Sequence, residues 1–349
     1  MTRPVLTIAI PTWNRAQFLE RTLAQLRGEM ATVPPNTIEL VVSDNASTDD
    51  TPAVVAEFNR IGPPVRYVRN DENIGWGGNF AQCFQLARGQ YVLLLGDDDL
   101  LVDGALALIL EHLGRATYGV VCLRPYGFDD DFREEFPGRF GGVRSFEDPN
   151  AFLLSIGALM TMISSMVINK DLLHDVDPQR YRAGDLAALP LVVTAALRGR
   201  RNLFLAQYLV ACKRNNSSNY EFGSVFVTQW WGIMDDHIAE GLDPATLRRL
   251  ESQVLFSHYP HYLFALRRAR VTTRMITLEH FDRRFRGRWL FHVWVAPTLL
   301  LPRPLALVWG AVTTVVGRAL GGDLRRGIKF QWYKLTKFRR ARAMTGANA

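Results

Sequence analysis

The chain has 349 residues, 48% apolar and 21% charged, the balance of a globular protein long enough for one large core and an appendage rather than of a disordered segment. Three scattered cysteines, Cys83, Cys122 and Cys212, with no Cys-x-x-Cys pair, argue against a disulfide scaffold or a zinc site and fit a reducing compartment. The net charge of +7 is uneven: from Arg267 onward 18 Lys and Arg face Glu279, Asp282 and Asp323, so that stretch carries +15 and residues 1–266 carry −8.

In chain order, residues 5–10 form a short apolar run closed by Pro11, a first strand. About six apolar residues before that proline are too few for a signal peptide, so the chain is expected to remain in the cytoplasm. A helical pattern follows through Phe18, Leu19, Leu23 and Leu26. Residues 38–43 read as a second strand, after which Thr51 reads as an N-cap with Pro52 at the first helical position. Residues 65–70 make a third strand, 79–89 a helix stopped by Gly89, 90–96 a fourth strand, 104–114 a helix and 119–124 a fifth strand. Such βαβα order implies a mostly parallel sheet with helices on both faces. Residues 128–142 read as a charged loop, 151–169 as a helix running into a strand, 185–199 as a helix and 202–214 as extended chain. Beyond residue 223 the composition turns helical and then basic. The expected division is a catalytic α/β domain over 1–220 and a helical region over 221–349.

In a parallel α/β sheet, ligands sit beyond the carboxyl ends of the strands. Four strand ends carry dense polar or Gly-rich clusters: PTWNR (11–15), SDNASTDD (43–50), RNDENIGWGGN (69–79) and GDDD (96–99). Asp44 and its neighbour Asn45 are placed to meet a nucleobase or ribose, with Thr12, Asn14 and Arg15 lining the same crevice. Asn73, Gly75, Gly77, Gly78 and Asn79 allow close backbone approach to a ligand. The glycines miss the G-x-G-x-x-G spacing and no Walker sequence is present, which disfavours a dinucleotide or P-loop site. Desolvating Asp97, Asp98 and Asp99 together is costly unless they are paired or metal-bound. The triplet suits a hard divalent cation completed by the phosphates of a nucleotide; the competing reading is a solvated turn.

The segments LTIAIPTWNRAQFLERTL, ELVVSDNASTDDT and NIGWGGNFAQCFQLARGQYVLLLGDDD, in this order, resemble the N-terminal half of the GT-A family 2 glycosyltransferases over residues 4–125. The LLGDDD form also resembles the abequosyltransferase-like branch that builds bacterial O-antigens. The resemblance implies a GT-A fold, a nucleotide-diphosphate sugar donor, Mg²⁺ or Mn²⁺, and inversion at the anomeric carbon. It implies that Pro11, Thr12 and Asp44 contact the nucleoside, that Asp97 faces the ribose or sugar, and that Asp99 ligates the metal as the last member of the D-x-D motif. Asp98 can stand in for either aspartate, and Asp97 is a second candidate metal ligand.

An inverting transfer needs a general base opposite the leaving diphosphate. The family's downstream Glu-Asp pair is absent between Ile163 and Gly199. Asp185 is the leading candidate, with a plain helix cap as its competing reading; Asp171, His174 and Asp175 are rivals. A second triplet, Asp129–Asp131, reads as a solvated loop, and His258 and His261 read as helix packing. Lys213 and Arg214 open a polar stretch, 213–220, suited either to clamp a diphosphate or to link two segments.

From Trp289 two apolar runs are split by Pro302, Arg303 and Pro304, each shorter than the roughly 20 residues of a spanning helix. Arginines precede them, and residues 325–342 mix Lys and Arg with Phe330, Trp332, Tyr333 and Phe338. That pattern suits an anionic membrane surface, against the alternatives of a buried helical hairpin or a subunit interface. A nucleic-acid partner is set aside because the body is acidic. The expectation is therefore a peripheral or monotopic enzyme on the cytoplasmic face of the inner membrane, acting on a glycan or glycolipid acceptor, with polyprenyl-linked glycans favoured. Two other classes compete with it: a catalytically silent sugar-nucleotide-binding partner, and a sugar nucleotidyltransferase.

Overall fold

The computed structural model describes residues 3–138, 141–214, 221–269 and 274–320. Strand β1 (Leu6–Thr12) is buried along its whole length, as a strand covered on both faces must be. Helix α1 (Ala16–Met30) turns Leu19, Leu23 and Leu26 inward. Then come β2 (Ile38–Asp44), α2 (Thr51–Ile61), β3 (Val65–Arg69), α3 (Trp76–Leu86), β4 (Tyr91–Leu94), β5 (Leu100–Leu101), α4 (Ala105–Arg115) and β6 (Val120–Phe128). After β7 (Val143–Phe146) and α5 (Pro149–Ile156), short 3₁₀ turns lead to β8 (Met166–Asn169), α6 (Leu189–Arg198) and β9 (Asn202–Lys213).

These nine strands form one sheet in the order β3-β2-β1-β4-β8-β6-β9-β5, with β7 paired to β9. The first four are parallel, as their sequence order implies. The fifth expected strand, β6, is not their neighbour. β8 lies between β4 and β6, antiparallel to both, so the sheet is mixed beyond β4. The physical reason is that Met166–Asn169 is buried throughout and fills the slot a parallel strand would take. Thr51 is the first residue of α2 rather than its cap. Asp49 does the capping for two helices, accepting the amides of Thr51 at 3.1 Å and of Ala16 at 2.9 Å. Both amides would otherwise be orphan donors of a first helical turn.

Two compact units are present: residues 1–132 with 139–248, and residues 133–138 with 249–349. Residues 221–248, expected with the C-terminal region, thus cluster with the sheet. Their helix α7 (Trp230–Asp236) buries Trp230, Trp231 and Met234, and His237 Nε2 lies 3.0 Å from the Thr194 hydroxyl of α6. Helix α8 (Pro244–Gln253) follows.

The second unit contains α9 (Tyr259–Arg268), α10 (Arg274–Phe285), α11 (Ala296–Leu300) and α12 (Arg303–Leu320). Pro302 lies between α11 and α12 and Pro304 in the first turn of α12, and no helix among the described residues is long and apolar enough to cross a membrane. On α12 the packed face is made of Ala306, Gly310, Thr313, Thr314 and Gly317. A Cβ at Gly310 would come 3.0 Å from Phe264 of α9, and one at Gly317 2.9 Å from the Phe256 carbonyl, so the missing side chains let the two segments touch. The opposite face presents Leu305, Val308, Val312 and Val315, between 49% and 65% exposed. His258, expected to pack, does so against Tyr259 and Tyr262. The aromatic-basic stretch 325–342 lies outside the described residues.

Candidate active site

The parallel register brings Thr12, Asp44 and Arg69 level across β1, β2 and β3. The four expected strand-end clusters therefore share one edge, and they are bonded into one network. The Asn14 amide donates to the Ser47 hydroxyl at 2.9 Å, and the Thr48 amide to Asn14 Oδ1 at 2.7 Å. Asn14 and Ala46, at φ 53° and 62°, hold the left-handed conformation that non-glycine residues adopt where surrounding structure enforces it.

Asp44 is fully buried. Its Oδ1 accepts the Ser47 amide at 2.9 Å and its Oδ2 the Tyr67 hydroxyl at 2.5 Å, with Arg69 Nε at 3.6 Å. Burial, and then the bond to Asp44, raise the Tyr67 hydroxyl's pKa, so it stays a donor. Asn45 uses its whole amide inside the loops, accepting from Asn70 and Ile74 and donating to Asn73 and to the Gly75 carbonyl. Asn79 exchanges two bonds with Ser43, at 2.6 and 3.0 Å. These amides, singled out as ligand contacts, hold the loops together in this structure. Pro11 lies in β1 beside Ser43.

At the end of β4, Asp97 is 4% exposed. It accepts the Thr12 hydroxyl at 2.8 Å and faces Arg15 Nη1 at 3.2 Å. Burial pushes its carboxyl up to about 7, against the pull of Arg15. Arg15 Nη2 reaches Asp98 at 2.7 Å, so one guanidinium spans two carboxylates. Asp99 accepts the Lys213 amide at 3.2 Å. Burial and then the Asp98 charge raise its pKa, while the Ser164 hydroxyl lowers it. Ser164 also accepts the Gly96 amide at 2.9 Å.

Asp98 and Asp99 are the residues that would hold a divalent cation at this edge. A Cβ at Gly96 would stand 3.2 Å from both Asp98 Oδ1 and Asp99 Oδ2, so the glycine leaves a space on which two carboxylate oxygens converge. Among the described residues no group of three or more His, Cys, Asp or Glu could hold a metal. Two carboxylates with the remaining positions left to phosphates and water is how Mg²⁺ is commonly held. Asp97, the other candidate ligand, is engaged by Thr12 and Arg15.

Asp185 lies in the turn before α6, whose N-cap is Ala188; the helix-cap reading therefore fails. The Asp185 amide donates to Gln229 Oε1 at 2.9 Å, Gln229 Nε2 donates to Asp185 Oδ2 at 3.1 Å, and Trp76 Nε1 donates to the Asp185 carbonyl at 3.2 Å. The turn is pressed onto the start of α3, where a Cβ at Gly77 would fall 2.2 Å from the Arg182 carbonyl oxygen. The rivals are elsewhere. Asn169 pairs with Tyr91, the first residue of β4, so Asp171, His174 and Asp175 follow β8 at the opposite sheet edge. Asp171 is paired with Arg3 there, and Asp175 with Arg198. In the second triplet, Asp129 faces Arg214 at 3.5 Å, and Lys213 Nζ donates to the Asp129 carbonyl.

Sequence reasoning passed over Trp13 and Trp76, each 50% exposed, Ser164 and Gln229. A large aromatic beside a strand-end polar cluster was the available signal for the first two. Nothing local marks Ser164 or Gln229, whose partners are 68 and 44 residues away.

This edge belongs to a GT-A-type α/β glycosyltransferase fold. Residues 7–176 match the model of glycosyl transferase family 2; the chain carries a glycosyltransferase domain of that family, and the resemblance read from its motifs holds. Abequosyltransferase RfbV of Salmonella typhimurium is 26% identical over 229 residues, 61% of this chain and 68% of that protein. The GalNAc(5)-diNAcBac-PP-undecaprenol beta-1,3-glucosyltransferase of Campylobacter jejuni is 31% identical over 140 residues, 39% of this chain and 43% of that protein. Among solved structures, the S. aureus TarS fragment in complex with UDP superposes with a TM-score of 0.60 at 17% identity, covering 94% of this chain and 91% of that one. A mannosyltransferase from Pyrobaculum calidifontis in complex with GDP-Man and Mn²⁺ gives 0.50 at 18% identity, covering 90% and 88%.

Proposed function

We propose that the chain transfers a sugar from a nucleotide-diphosphate donor to a hydroxyl of a glycan acceptor, with inversion, in bacterial surface polysaccharide synthesis. The observation that carries this reading is the joining of all four strand-end loops at one edge, with two carboxylate oxygens converging beside Gly96. Thr12, Asn14, Arg15, Asp44 and the Asn73–Gly75 turn form the donor cradle, and Asn45 and Asn79 keep it in shape. The half-exposed Trp13 and Trp76 offer faces for a base or sugar ring. Asp98 and Asp99 would hold a divalent Mg²⁺ or Mn²⁺ ion, which when bound supplies positive charge for the leaving diphosphate. Asp185 takes the proton of the acceptor hydroxyl as that oxygen attacks the anomeric carbon from the side opposite the diphosphate.

The acceptor is proposed to be a polyprenyl-linked glycan met at the cytoplasmic face of the inner membrane. One relative's name contains an undecaprenol-linked substrate. The second unit supports the same reading: α12 buries small residues and shows large aliphatic ones, the reverse of a helix on a water-facing surface. The strongly basic C-terminal stretch suits anionic lipid headgroups.

Calorimetry with UDP, GDP, CDP and dTDP, with and without Mn²⁺, tests the donor site. Metal-dependent binding of one diphosphate is expected. Binding of none, by folded protein, would return the aspartate triplet to the status of a solvated turn. Tight binding without transfer or hydrolysis of any matching nucleotide sugar would favour a silent binding partner.

A further inference from the structure

We infer that Gln229 is a positioning residue for the Asp185 carboxylate, an inference that rests on Asp185 being the general base. Gln229 ends a π-helical turn, Ser224–Gln229, a geometry found disproportionately at functional sites. It is followed at once by Trp230 and Trp231, fully buried and stacked with ring centroids 4.8 Å apart. The backbone that carries the carboxamide is thereby anchored. The carboxamide then meets two atoms of one residue, accepting from the Asp185 amide at 2.9 Å and donating to Oδ2 at 3.1 Å. Trp76 takes a third atom, the Asp185 carbonyl, at 3.2 Å. Oδ1 has no protein partner among the described residues.

A carboxylate on an exposed turn samples several rotamers, and ordering it has an entropic cost. With the amide and Oδ2 both tied to Gln229, rotation about the side chain is stopped and Oδ1 keeps one direction. Oδ1 is then the oxygen that receives the acceptor proton. The acceptor oxygen forms its bond to the anomeric carbon, the bond from that carbon to the diphosphate breaks, and the electron pair leaves with the diphosphate. A Gln at 229 matches because a carboxamide both donates and accepts; Glu, Met or Leu of similar length lacks one function or both.

The test uses the full chain and measures nucleoside diphosphate released from a panel of UDP-, GDP-, CDP- and dTDP-sugars, with water as acceptor. Gln229→Met keeps the length and removes both bonds. It is expected to lower kcat about ten- to a hundredfold while leaving donor KM within about twofold. Asp185→Asn is expected to remove nearly all turnover, and the double variant should be no slower than Asp185→Asn alone, because Gln229 acts only through that carboxylate. Losses that multiply in the double variant, or an unchanged kcat in Gln229→Met, would overturn the inference while leaving the base assignment standing. Wild-type turnover by Asp185→Asn would overturn the base assignment and this inference with it. If thermal melting shows Gln229→Met unfolded, Gln229→Glu carries the same test: it keeps an acceptor for the amide but sets a like charge against Oδ2, and its kcat should fall in the same way.

Discussion

The strand-end edge of the first unit and the exposed face of α12 in the second break the ordinary pattern of folded proteins in opposite directions. At the edge, polar and charged groups are buried: Asp44, Asn45, Asn79 and Asp97 are each at most 4% exposed, and each has partners. On α12, Val308 is 65% exposed while Gly310, two residues on, is buried. Buried carboxylates cost free energy that neighbouring donors or a ligand must offset. Exposed valines leave stabilisation unrealised until something covers them. One region is shaped to receive charge, the other to receive an apolar surface.

The sharpest way to break the comparison is at Asp99. Asp99→Asn removes one of the two oxygens converging on the space beside Gly96, and metal-dependent donor turnover should fall about a thousandfold or more, on the scale of losing a key electrostatic group. Thermal melting should move little, since the amide still accepts the Lys213 amide. Wild-type turnover would remove the metal reading.

The second region is tested by Val308→Asp with Val312→Asp. A valine that enters lipid contributes about 1.5–3 kcal/mol when fully covered, so affinity for vesicles of phosphatidylcholine and phosphatidylglycerol should drop at least about tenfold. Diphosphate binding, read by calorimetry, should be unchanged. Vesicle binding that remained intact, with loss of a dimer instead, would assign the face to a second copy of the chain.

The smallest effect is a pH slope in the second unit. Burial, and then the nearby His261, hold His258 down to about 3. An unfolded histidine titrates near 6.5, so between these values the unfolded chain binds the extra proton and stability rises with pH. Melting temperature should fall as the solution is taken below about pH 6.5, and His258→Phe should flatten that slope. Around His258 stand Tyr259, His261 and Tyr262, with Arg318 of α12 bonded to His261 at 3.0 Å. An unchanged slope in the variant would show that His258 is not its source.

Much of the edge is legible in the sequence. The first four strands, the crossover helices and the four clusters after them follow from apolar runs and turn residues, because each signal lies within one segment. Asp49 as a double cap was not legible, since its two helices start 35 residues apart in the chain, at Ala16 and Thr51. Nor was the place of β8: an apolar run has the same appearance whether it pairs parallel or antiparallel.

By itself, then, the sequence determined the family, the parallel half of the sheet and the identity of the carboxylates, because strand periodicity and motif order are local properties. Tertiary structure alone decided what each side chain does. Asn45 and Asn79 turn to each other's loops, Asp171 and Asp175 are carried to the far edge of the sheet, and Asp185 is not the cap of α6, its competing reading, but is bonded to Gln229. The same holds for α12, whose composition is that of any apolar helix. Only the close approach of α9 to Gly310, and of the Phe256–Ser257 backbone before α9 to Gly317, determines that its small residues face inward and its large ones outward.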